Sequence, residues 1–335
     1  MKTSPKNFFL LPASIACIGL MLTGRVTAQT YTFCTQVQST PSASITYNSG
    51  TGTFTYTDAA NSTEDFAYLP LCGTTATFIT TSNGWTASFT ANVSARSMTV
   101  ASGGSSHVLM GLLLLSGTFP NHVVFLFSGQ WNNTGGGDDA IYPDGWYGTA
   151  VRFGALTNGD EDVTTALGNS LSSPNGSVYL PLSGGTNASA GTESFSDVTG
   201  VLKLIYNASA NTVTGYYNGT PVGSYSLASW GSNPPLTLAV WGGSGSGVAV
   251  PAGTDTASNF YAGPLPVLTI IPSGTNVILT WPTNAVGFTL QSKTNLASTA
   301  AWATVSPTPV VVNTNNVVTN TISGTQKFFR LSHSN

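Results

Sequence analysis

Residues 201–222 (VLKLIYNASANTVTGYYNGTPV) constrain the fold of this chain more than any other stretch, because they read as two consecutive β-hairpins. Leu202, Leu204 and Tyr206 share one face at the two-residue period of a strand, and residues 212–217 alternate in the same way. Asn218-Gly219 then forms a tight turn, because both residues tolerate a positive φ. The stretch predicts antiparallel strands joined by short turns, and similar segments recur along the chain.

The first 28 residues predict a secretory signal peptide. Lys2 and Lys6 form a basic segment, an apolar run follows, and Val26-Thr27-Ala28 precedes the expected cleavage site. A membrane anchor is the alternative, but a proline interrupts the apolar run. No later segment reaches the roughly 18 apolar residues of a spanning helix. The sequence therefore predicts a secreted or cell-surface protein with no membrane span after cleavage.

The chain carries unusually little charge. Only 6% of its residues are charged, whereas a typical soluble domain has about 25%. Without the leader, six Lys or Arg and twelve Asp or Glu remain. Nucleic-acid binding needs a basic patch, so this acidic balance argues against a nucleic-acid partner. Composition does not predict an oligomeric state.

Two domains are predicted, at residues 29–263 and 264–335. The segment AGPLP at 262–266 follows a strand end, and its two prolines stiffen a short connector. The first domain shows many short strand candidates and no long helix, which is typical of an all-β fold: a large antiparallel two-sheet jelly-roll sandwich. The second domain shows six or seven short strands, which predict a small β-sandwich.

Two cysteines, Cys34 and Cys72, remain after removal of the leader. In an exported protein they are expected to form a disulfide, which would tie the N-terminal strand to a strand that ends at Leu71. Two buried free thiols are the alternative.

Several strand motifs resemble a known family. Four segments are similar to strands of concanavalin A-like jelly rolls of the legume-lectin and laminin-G type: 84–89 (GWTASF), 201–219, 236–241 and 257–261. The resemblance covers residues 31–263 and implies the lectin/glucanase scaffold. Its motifs lie at structural positions, so it supports the fold more than a function.

The C-terminal segment resembles a second family. Residues 277–282 (VILTWP), 287–292 (GFTLQS) and 327–331 (KFFRL) are similar to fibronectin type III or immunoglobulin-like modules of exported bacterial proteins. This resemblance implies a buried tryptophan in the "L-x-W" strand. We therefore expect Trp281 and Trp302 to belong to the core of this module.

Catalytic patterns are scarce in the sequence. Glycosidases place paired carboxylates on facing strand positions, whereas Glu64-Asp65 and Asp160-Glu161-Asp162 are adjacent residues in polar loops. Neighbouring side chains would diverge on a strand. No Gly-x-Ser-x-Gly elbow, zinc pattern or phosphate loop occurs. The sequence predicts a protein that is not an enzyme, with a diverged polysaccharide hydrolase as an alternative.

The most unusual local sequence is 131–147 (WNNTGGGDDAIYPDGWY), which combines aromatic rings with acids and amides. Sugar recognition uses this mixture, because flat rings contact C–H faces while carboxylates and amides bind hydroxyl pairs. A long packed connection that covers the end of the sandwich is the alternative. The candidate ligand-binding residues are Trp131, Asn132, Asp138, Asp139, Tyr142, Asp144, Trp146 and Tyr147.

Carboxylate oxygens at Asp160 and Asp162 are candidate Ca²⁺ ligands, since many jelly-roll lectins use Ca²⁺ to order their loops. The spacing is not that of an EF-hand, and a solvated acidic loop is the alternative. The sequence thus predicts a non-catalytic exported binding protein for a glycan or another extracellular ligand. A structural or adhesive cell-surface protein without a small-ligand site is the alternative.

Overall fold

A computed structural model gives an almost entirely β protein. It describes residues 31–38, 43–58, 65–77, 79, 84–116, 122–134, 147–156, 175–185, 188, 190–230, 236–246, 252–283, 288–296, 301–324 and 326–333. Two short 3₁₀ helices, Gly73–Ala76 and Leu227–Trp230, lie between strands. Within these ranges, none of the helices has the length and apolar character needed to cross a membrane.

The first sixteen strands build the larger part of the molecule. In chain order they are β1 (Val37–Gln38), β2 (Ser44–Asn48), β3 (Thr53–Asp58), β4 (Asp65–Pro70), β5 (Gly84–Val93), β6 (Arg96–Val100), β7 (Ser105–Ser116), β8 (Val123–Asn133), β9 (Tyr147–Leu156), β10 (Asn175–Gly185), β11 (Gly191–Phe195), β12 (Val198–Asn207), β13 (Thr212–Tyr217), β14 (Thr220–Ser226), β15 (Leu236–Ser246) and β16 (Gly253–Pro264).

These strands form two large antiparallel sheets. The front sheet has the order β1-β4-β15-β7-β8-β9-β10, and the back sheet has the order β14-β13-β12-β5-β16-β3-β2. Strands β6 and β11 pair separately. Some neighbours, such as β4 and β15 or β5 and β16, come from distant parts of the sequence, whereas β7 to β10 and β12 to β14 follow one another along the chain. The two sheets share one apolar core. The expected all-β two-sheet jelly-roll sandwich is confirmed.

The hairpins predicted at 201–222 are present in the back sheet. β12 pairs with β13, which pairs with β14. At the second turn Asn218 and Gly219 have φ of 48° and 80°, the two successive positive values of a tight hairpin turn. The Asn218 side chain also accepts a hydrogen bond from the Val201 N–H at 2.8 Å. This bond ties the turn to the neighbouring strand.

The two sheets are buried to different extents. Strand β12 alternates between buried and partly exposed residues, the pattern of a sheet with one solvent face. Strand β8 is buried along its whole length, so the front sheet is covered on both faces. The outer face of the front sheet forms its own apolar cluster: Phe66, Tyr68, Leu109, Leu113, Leu115, Val123, Phe125, Phe127, Trp131, Ala150, Ala239 and Trp241.

The structure joins Cys34 and Cys72 in a disulfide, with their Cα atoms 5.7 Å apart. Phe33 forms an isolated antiparallel bridge with Leu71 beside it. The disulfide therefore fastens the chain before β1 to the residues just after β4, at the edge of the front sheet.

Seven further strands follow: β17 (Thr269–Ser273), β18 (Asn276–Pro282), β19 (Phe288–Lys293), β20 (Ala303–Thr304), β21 (Val310–Val312), β22 (Asn315–Thr321) and β23 (Phe328–His333). They form sheets of order β17-β18-β22-β21 and β20-β19-β23. In the described residues they pair only with one another. Both sheets contribute to one small core of Leu279, Trp281, Leu290, Val305 and Val318.

The two tryptophans of this C-terminal unit have different environments. Trp281 is 2% exposed and belongs to the small core, as expected. Trp302 is only half-buried and lies under two cationic side chains. The expectation that Trp302 is a core residue is wrong, because it lies just before the short edge strand β20 and contacts the outer face.

A glycine pair on β15 tests how tightly the two sheets pack. A Cβ at Gly242 would lie 2.3 Å from the Tyr56 ring of the back sheet, whereas a Cβ at Gly243 would meet the end of the Leu109 side chain at 3.3 Å. Overpacking a tight core costs roughly 1–3 kcal/mol. We expect Gly242→Ala to lower the free energy of unfolding by about 3 kcal/mol, measured by urea denaturation.

Gly243→Ala is the matched control, since it adds the same methyl group to the adjacent residue on the opposite face. It should cost less than about 1 kcal/mol, because the flexible Leu109 side chain can move aside. Equal losses in both variants would contradict the tight packing of Tyr56 against the front sheet.

Candidate functional site

The structure changes the predicted loop at 131–147. Strand β8 continues to Asn133, so it includes the first three residues of this segment. Trp131 and Asn132 therefore lie inside the front sheet with no exposed surface, and Trp131 packs 6.1 Å from the Phe127 ring. Neither side chain reaches solvent in this structure. The first part of the predicted loop is a buried strand.

The remaining predicted ligand residues have a different status. Tyr147 begins β9, where it is partly buried and packs against the core between the sheets. Five residues lie outside the described ranges, and their role stays a prediction: Asp138, Asp139, Tyr142, Asp144 and Trp146.

The predicted Ca²⁺ ligands Asp160 and Asp162 also lie outside the described residues. Within the ranges that the structure describes, no group of three or more His, Cys, Asp or Glu side chains converges on a point where it could hold a metal ion. The calcium site stays a prediction.

Two carboxylates do meet, at one end of the back sheet. Asp58 ends β3, Asp255 lies in the adjacent β16, and the Arg96 guanidinium approaches both. The Arg96 Nη2 is 2.8 Å from the Asp255 Oδ2, and its Nη1 is 3.7 Å from the Asp58 Oδ1. Gly253 leaves room for the guanidinium, because a Cβ there would lie 2.4 Å from the Arg96 Cζ. We call these three residues the Asp58–Arg96–Asp255 cluster.

Burial dominates the electrostatics of this cluster. It raises the pKa of Asp255 to about 6, against the opposing charge of Arg96 and a hydrogen bond from the Ser94 N–H. Burial also raises the pKa of Asp58, again against the Arg96 charge. The pKa values of both carboxyl groups are raised although Arg96 is close to them, because the free-energy cost of desolvating each carboxylate exceeds its electrostatic attraction to the guanidinium.

The geometry gives this cluster a structural role. The side chains of Arg96, Asp58 and Asp255 are 4%, 1% and 0% exposed. A carboxylate pair that cleaves a glycoside must contact its substrate, and this pair has no route to one. The cluster instead joins β3, β16 and β6.

An open cleft lies where the edges of the two sheets meet. It has a volume of about 670 Å³ and is lined by the segment before β1 and by the edge strand β2. The Ile45 N–H donates a hydrogen bond to the Gln36 Oε1 across it at 3.0 Å. Its lining residues are Tyr31, Thr32, Phe33, Cys34, Gln36, Ser44, Ile45, Thr46, Tyr47, Ser49 and Leu69. We call it the edge cleft.

Aromatic rings form the rigid wall of the edge cleft. Phe33 and Tyr47 are partly exposed, with ring centroids 4.8 Å apart. Both pack on the buried Phe54, at 5.0 and 4.7 Å. Tyr31 packs on Phe260 at 4.8 Å, and its hydroxyl oxygen accepts a hydrogen bond from the Ala262 N–H. Burial raises the pKa of Tyr31, so this hydroxyl stays neutral.

The edge cleft offers recognition chemistry without charge. Every described residue that lines it is uncharged. The polar residues of its lining are Gln36, Ser44, Thr46 and Ser49. The Ser44 hydroxyl is already hydrogen-bonded to the Thr57 hydroxyl and the Gln36 Oε1 to the Ile45 N–H, so these groups keep part of their hydrogen-bonding capacity for a ligand. Ligand sites of this size typically combine an apolar wall with a few placed polar groups. The edge cleft suits a neutral ligand that has both apolar faces and hydroxyl groups.

The sequence does not reveal the edge cleft. Tyr31, Phe33 and Tyr47 read as ordinary strand residues, because alternation alone does not show which strands become sheet edges. The one local signal is the spacing of Tyr31 and Phe33, which puts two rings on the same face of an extended segment.

No protein-family model and no curated protein matches the chain. Among solved structures, the chain is similar to the carbohydrate recognition domain of Emp46p in its potassium-bound form. The identity is 12%, the match covers 69% of this chain and 89% of that chain, and the TM-score is 0.34.

Two glycoside hydrolase family 16 proteins from Bacteroides ovatus are similar to a comparable extent. For the endo-glucanase, the identity is 6%, with 66% of this chain and 85% of that chain covered and a TM-score of 0.33. For the mixed-linkage glucan protein, the identity is 7%, with 70% and 98% covered and a TM-score of 0.35. These low values carry no argument about function.

The Asp58–Arg96–Asp255 cluster predicts a pH-dependent stability. Since the folded-state pKa of Asp255 is raised to about 6 from 3.8, the folded protein binds more protons than the unfolded chain between these values. The contribution of this group to stability is therefore present below about pH 4 and is lost as the pH rises to about 6.

We expect the free energy of unfolding to fall by roughly 2 kcal/mol over this window through Asp255, and Asp255→Asn should remove that component. Urea denaturation of both proteins at pH 4, 5, 6 and 7 measures it. Parallel stability curves for the two proteins would contradict the raised pKa.

Proposed function

We propose that the protein is an exported, non-catalytic binding protein whose jelly-roll sandwich recognises a neutral glycan or another extracellular ligand. The observation that carries this proposal is the edge cleft, with its aromatic wall and its uncharged polar lining. A sugar ring presents apolar C–H patches to flat aromatic faces and hydroxyl groups to hydroxyls and amides. Both kinds of partner line the edge cleft.

The wall of the edge cleft supports binding without a large ordering cost. Tyr47 lies in β2 and packs on Phe33 and Phe54, so its ring is held before a ligand arrives. The disulfide at Cys34 restrains the opposite wall. Groups that are already in place lose little conformational entropy on binding.

The described carboxylates support binding over catalysis. Asp58 and Asp255 come close together but are inaccessible, and the edge cleft has no described acid or base among its lining residues. Hydrolysis of a glycoside needs a general acid and a second carboxylate beside the scissile bond. The edge cleft therefore supports recognition of a ligand and not its cleavage.

A second contact surface belongs to the same proposal. The segment 135–146 carries Asp138, Asp139, Tyr142, Asp144 and Trp146, and we propose that it contributes rings and carboxylates to ligand binding. Asp160 and Asp162 are the proposed ligands of a Ca²⁺ ion. The proposed role of the fibronectin-III/immunoglobulin-like unit at 264–335 is that of a spacer or attachment module.

The edge cleft makes the first test specific. A neutral-glycan array probed with the full-length protein should give positive spots. For the best of these glycans, Tyr47→Ala should weaken binding about tenfold, because a stacked ring contributes on the order of 1 kcal/mol. Phe33→Ala should also weaken binding, since the partly exposed Phe33 ring lines the edge cleft and packs 4.8 Å from the Tyr47 ring. Isothermal titration calorimetry measures both effects.

Tyr216→Ala is the matched control. It removes a partly buried tyrosine from β13 of the back sheet, away from the edge cleft, and should leave the affinity unchanged. An array without any bound glycan would refute the proposed function. Retained affinity in both cleft variants, with loss in Trp146→Ala/Asp144→Ala, would move the site from the edge cleft to the 135–146 segment.

A further inference from the structure

Charge is divided unevenly along the chain. Residues 264–335 contain Lys293, Lys327 and Arg330 but no Asp or Glu. Residues 29–263 contain all twelve acidic residues and three basic ones, Arg96, Arg152 and Lys203. The C-terminal unit is thus a small cationic body on an acidic protein, and it has no acidic side chain of its own to neutralise it.

Two of the three cations meet over one aromatic ring. The Arg330 Cζ lies 4.3 Å from the centre of the Trp302 ring, and the Lys293 Nζ lies 5.0 Å from it. Such cation–π contacts hold both charges close together against their mutual repulsion. Arg330 is exposed and Trp302 is half-buried, so this group is open to solvent.

The strand register puts these residues on the outer face of the three-stranded sheet. Gln291 and Lys293 are two residues apart on β19, and Arg330 pairs with Gln291 across the ladder. The intervening Leu290 lies in the core of the unit. The Arg330 Nε and Nη2 donate hydrogen bonds of 2.9 and 2.8 Å to the Gln291 Oε1. Two of its five N–H donors therefore fix the guanidinium.

Lys327 lies at the end of the same strand pair but on its other face, where its Nζ is 5.5 Å from the centre of the Phe329 ring. It directly precedes β23, whose first residue Phe328 pairs with Lys293. Its Nζ donates a 2.8 Å hydrogen bond to the Asn320 Oδ1. Lys327 also lines a pocket of about 190 Å³ together with Ser323 and Gln326. Lys293 and Arg330 thus share the outer face over Trp302, whereas Lys327 lies on the opposite side of β23.

We propose that the face formed by Lys293, Trp302 and Arg330 binds the carboxylate or sulfate groups of an acidic polysaccharide. A guanidinium fixed on a rigid strand presents its remaining N–H groups to an oxyanion with little entropy loss. The site is separate from the edge cleft and does not rest on the proposed recognition of a neutral glycan.

An acidic polysaccharide fits this face better than a nucleic acid does. Duplex DNA carries one charge per about 1.7 Å, and its specific binders contact about 6–10 phosphates. Three cations cannot match that density. Single-stranded nucleic acids stack their bases on aromatic rings, whereas cations already lie over the Trp302 ring. A polymer with widely spaced anionic groups matches two clustered cations.

The test uses three polymers that share one backbone: dextran, carboxymethyl-dextran and dextran sulfate. The full-length protein should bind one or both charged polymers and not dextran, and the two charged arms separate carboxylate from sulfate recognition. Raising the salt concentration from 0.05 to 0.5 M should weaken this binding at least tenfold, because exposed charges are screened. Biolayer interferometry with immobilised polymers measures it.

Charge variants locate the site. Arg330→Gln should weaken binding about fivefold, and Lys293→Gln/Arg330→Gln about 20-fold, as expected for exposed ion pairs. Arg330→Lys keeps the charge and should bind within about threefold of the parent protein. Lys203→Gln is the matched control, because it removes one positive charge from β12 of the jelly-roll sandwich. It should leave binding unchanged.

Any of four outcomes would overturn the proposal. Equal binding to uncharged dextran, or no binding to either charged polymer, would show that this face does not recognise anionic groups of a polysaccharide. Unchanged binding in the Lys293/Arg330 double variant places any anion site elsewhere. Tighter binding to a 20-nucleotide single-stranded DNA than to both charged dextrans identifies a nucleic-acid surface instead. Loss of the neutral-glycan signal, with these results intact, would affect only the proposed function of the edge cleft.

Discussion

The burial of the front sheet on both faces is the constraint on which the rest of the structure depends. Its inner face packs on the back sheet, and its outer face carries rings such as Phe125, Phe127 and Trp241 that are almost entirely buried. Burying a side chain of this size contributes roughly 1.5–3 kcal/mol. The outer face therefore acts as a second core. The side chains of this face that the structure describes are closed to solvent.

Polar side chains hold the sandwich together at the corner between β5 and β6. The Gln130 Nε2 of the front sheet donates hydrogen bonds to the carbonyl oxygens of Ser94 and Ser196, at 2.8 and 3.0 Å. The Asp255 Oδ1 accepts from the Ser94 N–H, and the Asp197 Oδ1 accepts from the Ala95 N–H. Side chains from β8, from β16 and from the connection between β11 and β12 thus satisfy the backbone of this corner. Buried polar groups stabilise a fold when they are satisfied in this way, which explains why scarce charges are placed there.

Local patterns in the sequence predict the parts of the fold that local physics determines. The Asn218-Gly219 turn needs two positive φ values, so its sequence alone shows the hairpin. The end of β8 is different. Gln130 and Asn132 look like loop residues, but both lie in the buried strand, and the Gln130 Nε2 donates hydrogen bonds to carbonyl groups of the connections at Ser94 and Ser196. The burial of Gln130 depends on this tertiary contact, and no sequence pattern within residues 123–133 indicates it.

The same limit applies to the candidate sites. The edge cleft exists because β1 and β2 become neighbouring edges of the two sheets. The alternation of the sequence shows that Tyr47 lies on one face of a strand, but it does not show that this strand is a sheet edge. The face formed by Lys293, Trp302 and Arg330 depends on the strand register, since Gln291 meets Arg330 only in the observed pairing of β19 and β23. The aromatic loop at 131–147 draws attention because its composition is locally unusual. Composition identifies residue types that suit a ligand, whereas convergence of distant residues makes a site.

The edge cleft and the face formed by Lys293, Trp302 and Arg330 share one physical property: neighbouring side chains hold the group that is proposed to contact the ligand. The Tyr47 ring is held by Phe33 and Phe54, and the Arg330 guanidinium is held by Gln291 and Trp302. Both therefore sit on rigid strands with their rotamers already restricted, so binding forfeits little conformational entropy. One surface is uncharged, and the other is cationic on an otherwise acidic chain.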